Sequence, residues 1–165
     1  MRRPTCTVAL LGVLALTACQ PSAKKDALAS SPQDVESGST FTLNKAMVIP
    51  EGTAAVYFQD TQLVVARGLR PNYAYCKFEL DGPATAARQV SPQSFWVTTV
   101  DYDEQAAGPA GDAVSWTRMN LQTIQQAKGY SMTCARPRAT APARFVTVAE
   151  IQGALGDHFT LKPVR

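Results

Sequence analysis

The 165-residue chain is poor in the residues that build catalytic and metal centres. It has one histidine and four cysteines, which leaves little material for a metal site. CxxC, GxSxG, HExxH, CxxCH, GxGxxG and Walker motifs are all missing, so each familiar signature of redox, hydrolytic or nucleotide chemistry is absent. No apolar run approaches the about 20 residues that a membrane-spanning helix requires. Charge is also sparse. Sixteen Lys and Arg face 13 Asp and Glu, a formal net charge of +3, which excludes an electrostatic nucleic-acid binder. Eleven prolines and ten glycines argue against a long helical bundle. What remains is a chain with 45% hydrophobic residues, enough for a globular core, at a length that suits one domain.

The N-terminus has its own logic. Met1-Arg2-Arg3 is a short basic start, and Val8 to Leu16 is a nine-residue apolar run. A basic start followed by a short apolar core reads as a secretory signal peptide. The run ends in Leu16-Thr17-Ala18-Cys19, which resembles the lipobox of bacterial lipoproteins. The resemblance implies cleavage before Cys19, a diacylglyceryl group on its sulfur and acylation of the new amine. Three acyl chains anchor a protein firmly where one does not. Gln20 follows, without the aspartate that retains many lipoproteins at the inner membrane. The resemblance therefore points to the outer membrane with the domain facing the periplasm, the cell surface being the alternative. With Arg2 and Arg3 removed, 14 basic residues face 13 acidic ones, and global charge says nothing about partners.

Three segments follow from this reading: 1–18 as signal peptide, 19–40 as lipidated cysteine and tether, and 41–165 as a β-rich domain. Residues 20–40 lack aromatics and apolar periodicity and are dominated by Ser, Ala, Asp, Lys and Pro, a flexible linker with a reach of about 25 Å. Cys6 leaves with the signal and Cys19 takes the lipid. Cys76 and Cys134 then remain in an oxidising compartment, where a disulfide closing a 58-residue span is the natural expectation.

From Phe41 the apolar pattern has period two, the signature of strands. Phe41 and Leu43, Ala54–Phe58, Leu63–Ala66, Tyr73–Leu80, Phe95–Tyr102, Trp116–Ile124 and Tyr130–Cys134 are β-rich. In Tyr73–Leu80 the residues Ala74, Cys76, Phe78 and Leu80 share one face, and Cys134 falls on an apolar face with Tyr130 and Met132. Near the end the period changes. Thr147 and Glu150 form a capping-box pattern, Val148, Ile151 and Leu155 line one helical face, and Gly156 suits the C-cap. A short strand at Phe159–Leu161 closes the chain. The fold expected is mainly β, or α+β: a small antiparallel sandwich or barrel of six to seven strands with one short C-terminal helix.

Candidate sites are few. Tyr73 and Tyr75 lie opposite the cysteine face, which would expose them as a sugar- or peptide-binding platform; a second packed layer is the plainer alternative. Tyr57, Phe95, Trp96, Tyr102 and Trp116 are further aromatics on strands. Lys128, Arg136, Arg138 and Arg144, with Arg118, make an acid-free basic stretch that could meet lipid phosphates or form a solvated face. Asp101, Asp103, Glu104 and Asp112 are the densest acids. They could hold Ca²⁺ or act as a hydrolase pair, although a solvated loop suits the composition better. His158 alone makes no triad.

Val48–Ala54, Tyr75–Leu80 and Glu150–Gly156 look like stretches of small proteobacterial outer-membrane lipoproteins, a group that brings no known activity and hence no catalytic residue. The sequence reading is therefore a non-enzymatic outer-membrane lipoprotein serving as an accessory or binding subunit at the periplasmic face. It needs no cofactor or metal. Its partners are the membrane, through the lipid, and an envelope protein, with no nucleic acid. A small lipid- or glycan-binding module using strand aromatics is the alternative, and a hydrolase using the acidic loop a third reading.

Overall fold

Alternation of apolar and polar residues dictates sheets with one buried face, and the chain makes one large sheet and one small one. The computed structural model describes residues 34–107, 113–124, 129–137 and 146–164. The strands are β1 (Thr40–Leu43), β2 (Met47–Ile49), β3 (Ala55–Gln59), β4 (Gln62–Val64), β5 (Tyr75–Leu80), β6 (Arg88–Val90), β7 (Gln93–Ala107), β8 (Ala113–Gln122), β9 (Tyr130–Pro137) and β10 (Phe159–Lys162). Among the described residues there is one α-helix, α1, at Val148–Leu155. Eight strands form an antiparallel half-barrel in the order β10-β1-β7-β8-β9-β5-β3-β4, and β2 pairs with β6 in a separate ribbon.

The mainly β architecture with one late helix matches the expectation. Ten strands are present among the described residues; β4 overlaps the expected run Leu63–Ala66, and the strands that were not expected are β2 and β6, of three residues each. Such pieces are too short to show a period, so the sequence undercounts them.

The inner face carries the core. Phe159 sits at its centre, with ring centroids 6.4 Å from Phe41, 5.6 Å from Phe58, 5.8 Å from Phe78 and 6.4 Å from Phe95. These rings come from β10, β1, β3, β5 and β7, so one side chain gathers five strands. Ile151, Ala154 and Leu155 of α1 are buried, and the helix packs against β3, β5 and β10. On β7 the register shifts between Val97 and Thr99. This bulge turns the inward set from Phe95 and Val97 to Val100 and Tyr102, and sends Thr99 and Asp101 outward.

The disulfide lies in this core. Cys76 and Cys134 face each other directly across β5 and β9, with Cα atoms 4.0 Å apart, and are bonded. Both are fully buried.

The ends of the sheet are managed locally. Thr147 Oγ1 accepts from the Glu150 amide at 3.2 Å, and Glu150 Oε2 accepts from the Thr147 amide at 2.8 Å, completing the capping box. Gly156 caps α1 at φ 56°, and a Cβ there would lie 2.4 Å from Thr61 Cβ. Glycine is thus required twice, by backbone conformation and by the approach of the β3–β4 turn. Asp60 and Thr61 in that turn both have positive φ, as a two-residue hairpin of this hand demands. On β10 the free edge is plugged by one side chain. Gln152 Nε2 donates to the Phe159 carbonyl at 2.8 Å, and its Oε1 accepts from the Leu161 amide at 3.1 Å. The amide imitates a neighbouring strand where an open ladder would invite another chain.

Replacing Cys76 and Cys134 together by alanine is expected to lower stability by about 4 kcal/mol on the chain-entropy estimate, read from urea unfolding of oxidised wild type and variant. Gln152→Ala is expected to cost about 1–2 kcal/mol for the groups left unpaired and to promote self-association, visible by sedimentation.

Candidate functional site

With the inner face filled, function falls to the outer face, which divides into two parts. Over β3, β5 and β9 the outer face is covered. Tyr75 is only 9% exposed. It packs in a second cluster with Val114 and Ala135, against Tyr57, Leu69 and Trp116. The expected exposure of Tyr75 is therefore corrected. Leu69 comes from the loop after the short 3-10 turn Ala66–Gly68, and buried Gln59 pins that loop down. Its Oε1 accepts from the Arg70 amide at 2.7 Å, and its Nε2 donates to the Arg70 carbonyl at 3.1 Å. No period reveals a loop that folds back on a sheet. Tyr73 is exposed, outside the strand, with the Arg70 guanidinium 4.4 Å above its ring; Arg70 also pairs with Asp60. Tyr73 and Tyr75 form no common platform.

The basic stretch is divided as well. Arg136 is 8% exposed and shares the inward parity of Cys134 on β9. Its Nη1 lies 3.3 Å from Glu150 Oε1, the carboxylate that also closes the capping box. It stands across from buried Ser115, near Thr117. This corrects the surface role expected for Arg136: its charge serves the junction of α1 with the sheet. Arg118 is exposed on the opposite face. Arg138, Lys128 and Arg144 lie outside the described residues, as do Cys19 and the segment before Asp34.

Arg118 instead joins a small open cleft of about 200 Å³, lined by Glu79, Asp81, Asn120, Tyr130 and Ser131 among others. Glu79 is already paired with Lys77 at 2.8 Å. Asp101 and Asp103 stand exposed on β7, opposite Arg118 and Trp116 respectively. They are not buried in a cleft together, as an acid pair with separated pKa values would be. The side chain of Glu104, and Asp112 altogether, lie outside the described residues. Among the described residues no group of three His, Cys, Asp or Glu is placed to hold a metal ion. His158 packs 5.3 Å from Phe58, with a buried Nδ1 that lacks a hydrogen-bond partner. A hydrogen bond from Lys45 holds the Asp157 carboxyl below the usual carboxylate range. Tyr102 donates to the Val35 carbonyl at 2.9 Å, and burial, then Asp34 and Glu36, raise its pKa. The Lys45–Asp157 contact joins the β1–β2 connection to the turn before β10, and the Tyr102–Val35 contact ties the segment before β1 to β7.

Over β10, β1 and the adjoining ends of β7 and β8, at Ser94–Thr98 and Asn120–Gln122, nothing among the described residues covers the outer face. Thr42, Ser94, Asn120, Gln122, Thr160 and Lys162 all point there, none of them buried. Trp96 stands at the centre, 38% exposed, because it alternates with inward Phe95 and Val97. The sequence reading recorded Trp96 as a strand aromatic but placed the platform on the tyrosines. The alternation FWV was the signal that could have found it.

No known protein family, curated protein or solved structure matches this chain. The site therefore stands on its own geometry: a sheet face that exposes one indole with neutral polar side chains directly around it and Lys162 at its edge.

Glu150→Gln keeps the size of the side chain but removes the charge facing Arg136. A loss of about 2 kcal/mol is expected, below that of a fully buried pair because Glu150 is partly exposed. Thr147→Ala should cost about 1 kcal/mol. Urea midpoints of the two variants check both values.

Proposed function

We propose that this chain is a lipid-anchored protein of the bacterial envelope, serving as an accessory or binding subunit at the periplasmic face of the outer membrane. It acts by binding rather than by catalysis. One observation carries the binding part of the reading. The uncovered part of the outer face, with Trp96 at its centre, is held on strands of a disulfide-stapled half-barrel. A surface fixed in this way loses little conformational freedom when a partner docks, which favours recognition. The anchor rests on the sequence: Leu16-Thr17-Ala18-Cys19 and the polar segment after it. Among the described residues no helix is long and apolar enough to cross a membrane. A tethered domain beside a membrane meets its partner at high effective concentration, so modest affinity suffices. The alternative, a small ligand-binding module using strand aromatics, is favoured by the chemistry around Trp96 and is developed below.

The test is made in cells. Wild-type protein should incorporate radiolabelled palmitate and sediment with outer membranes. Cys19→Ser should lose the label and leave the membrane fraction. Crosslinking followed by detergent purification should return a reproducible envelope component. An unlabelled wild type would sink the anchor, and the absence of any crosslinked component would sink the accessory role.

A further inference from the structure

An exposed tryptophan on a sheet is ordinarily surrounded by whatever the neighbouring strands supply; here every immediate neighbour is neutral and polar. Trp96 lies directly across from Thr40 on β1 and from Gln122 on β8. The next positions on the same face are Thr42 on β1, Asn120 on β8 and Ser94 on β7 itself. Some of these side chains are already oriented: Thr42 and Ser94 hydroxyls are 3.1 Å apart, and Asn120 Nδ2 donates to Thr99 Oγ1 at 2.6 Å. The Thr40 hydroxyl, the Gln122 amide and the Trp96 indole N–H make no side-chain hydrogen bond with any described residue. The aromatic face is thus flanked on both sides by unengaged polar groups, at Thr40 and at Gln122.

We infer that this face binds a neutral glycan, with a sugar ring laid on the Trp96 indole. The chemistry selects this ligand. The C–H groups of a pyranose carry partial positive charge and suit the negative face of the indole. Its hydroxyls need donors and acceptors side by side, and an amide such as that of Gln122 offers both. An anionic headgroup would find no cation in the immediate ring; the nearest along the row is Lys162, beyond Thr40 on β10. An apolar protein surface would bury five polar side chains for one indole, which is unfavourable unless each is paired. An open sheet face, unlike a pocket, admits the middle of a polymer, so the ligand is a chain rather than a monosaccharide. This inference deepens the binding reading above and rests on it for the compartment alone.

Titration of the full acylated protein with chitohexaose and with cellohexaose, in a detergent without a sugar headgroup, tests it by tryptophan fluorescence and calorimetry. Saturable binding of at least one is expected. Trp96→Ala should weaken it about tenfold or more, Gln122→Ala by a smaller factor, and Trp96→Phe should retain part of it. Tyr73→Ala should leave it unchanged. Urea midpoints close to wild type would show that the variants fold. No saturable binding to either oligosaccharide, or binding indifferent to Trp96→Ala, overturns the proposal. A photo-crosslinker at position 94, beside Trp96 on the same face, separates the two readings in cells. A glycan adduct supports the inference; a protein adduct overturns it while keeping the binding-subunit reading. Salt-sensitive, Trp96-dependent binding to anionic vesicles overturns it in favour of a lipid surface.

Discussion

Among the described residues, an eight-stranded sheet is served by one eight-residue helix, which has too little material to cover the inner face of a flat sheet. The sheet must curl, and it curls around Phe159. That ring is fully buried and meets Phe41, Phe58, Phe78 and Phe95. The contacts with Phe41 and Phe58 are edge-to-face and those with Phe78 and Phe95 tilted, and such ring pairs add to the burial of the rings themselves. Everything else follows from the closure. The helix needs to cover only β3, β5 and β10, and of the opposite face only the part around Tyr75 is covered, by Leu69 and its loop.

A half-barrel keeps two edges, and both need protection. One is blocked by the Gln152 amide on β10. The other, β4, is held to three residues, and its turn is seated on the end of α1 through Thr61 and Gly156. The helix that completes the core therefore also secures both edges. Arg136 and Glu150 extend the arrangement to β9, since the carboxylate that caps α1 also neutralises the buried guanidinium. The stapled cysteines hold β5 to β9 at the middle of the sheet. The outer face inherits a backbone constrained from behind, which is what a binding surface made of side chains on strands requires.

Much of the fold was legible along the chain. The strands with four or more alternating residues, the capping box at Thr147 and Glu150, the cap at Gly156 and the pairing of Cys76 with Cys134 all depend on neighbours within a few residues or on elimination. The three-residue strands β2 and β6 were not legible, because two or three side chains carry no period. The candidate site was legible only in part. Period two separates Tyr75 from Cys76 correctly, yet says nothing about what lies over each face. Leu69 and the loop pinned by Gln59 cover Tyr75, while Trp96 stays uncovered on a strand of the same sheet. Arg136 and Arg118 look like one basic stretch in the sequence and end on opposite faces.

The sequence by itself determined the β character, the single late helix with its caps, and which side chains share a face. These are short-range consequences of backbone geometry and alternation. Only the tertiary structure decided which faces are covered, which arginine is buried and which aromatic meets solvent. Burial depends on strand order and on segments far apart in the chain, such as Phe159 against Phe41 or Leu69 over Tyr75. No local pattern carries that order, because it arises from closing the sheet on one shared core.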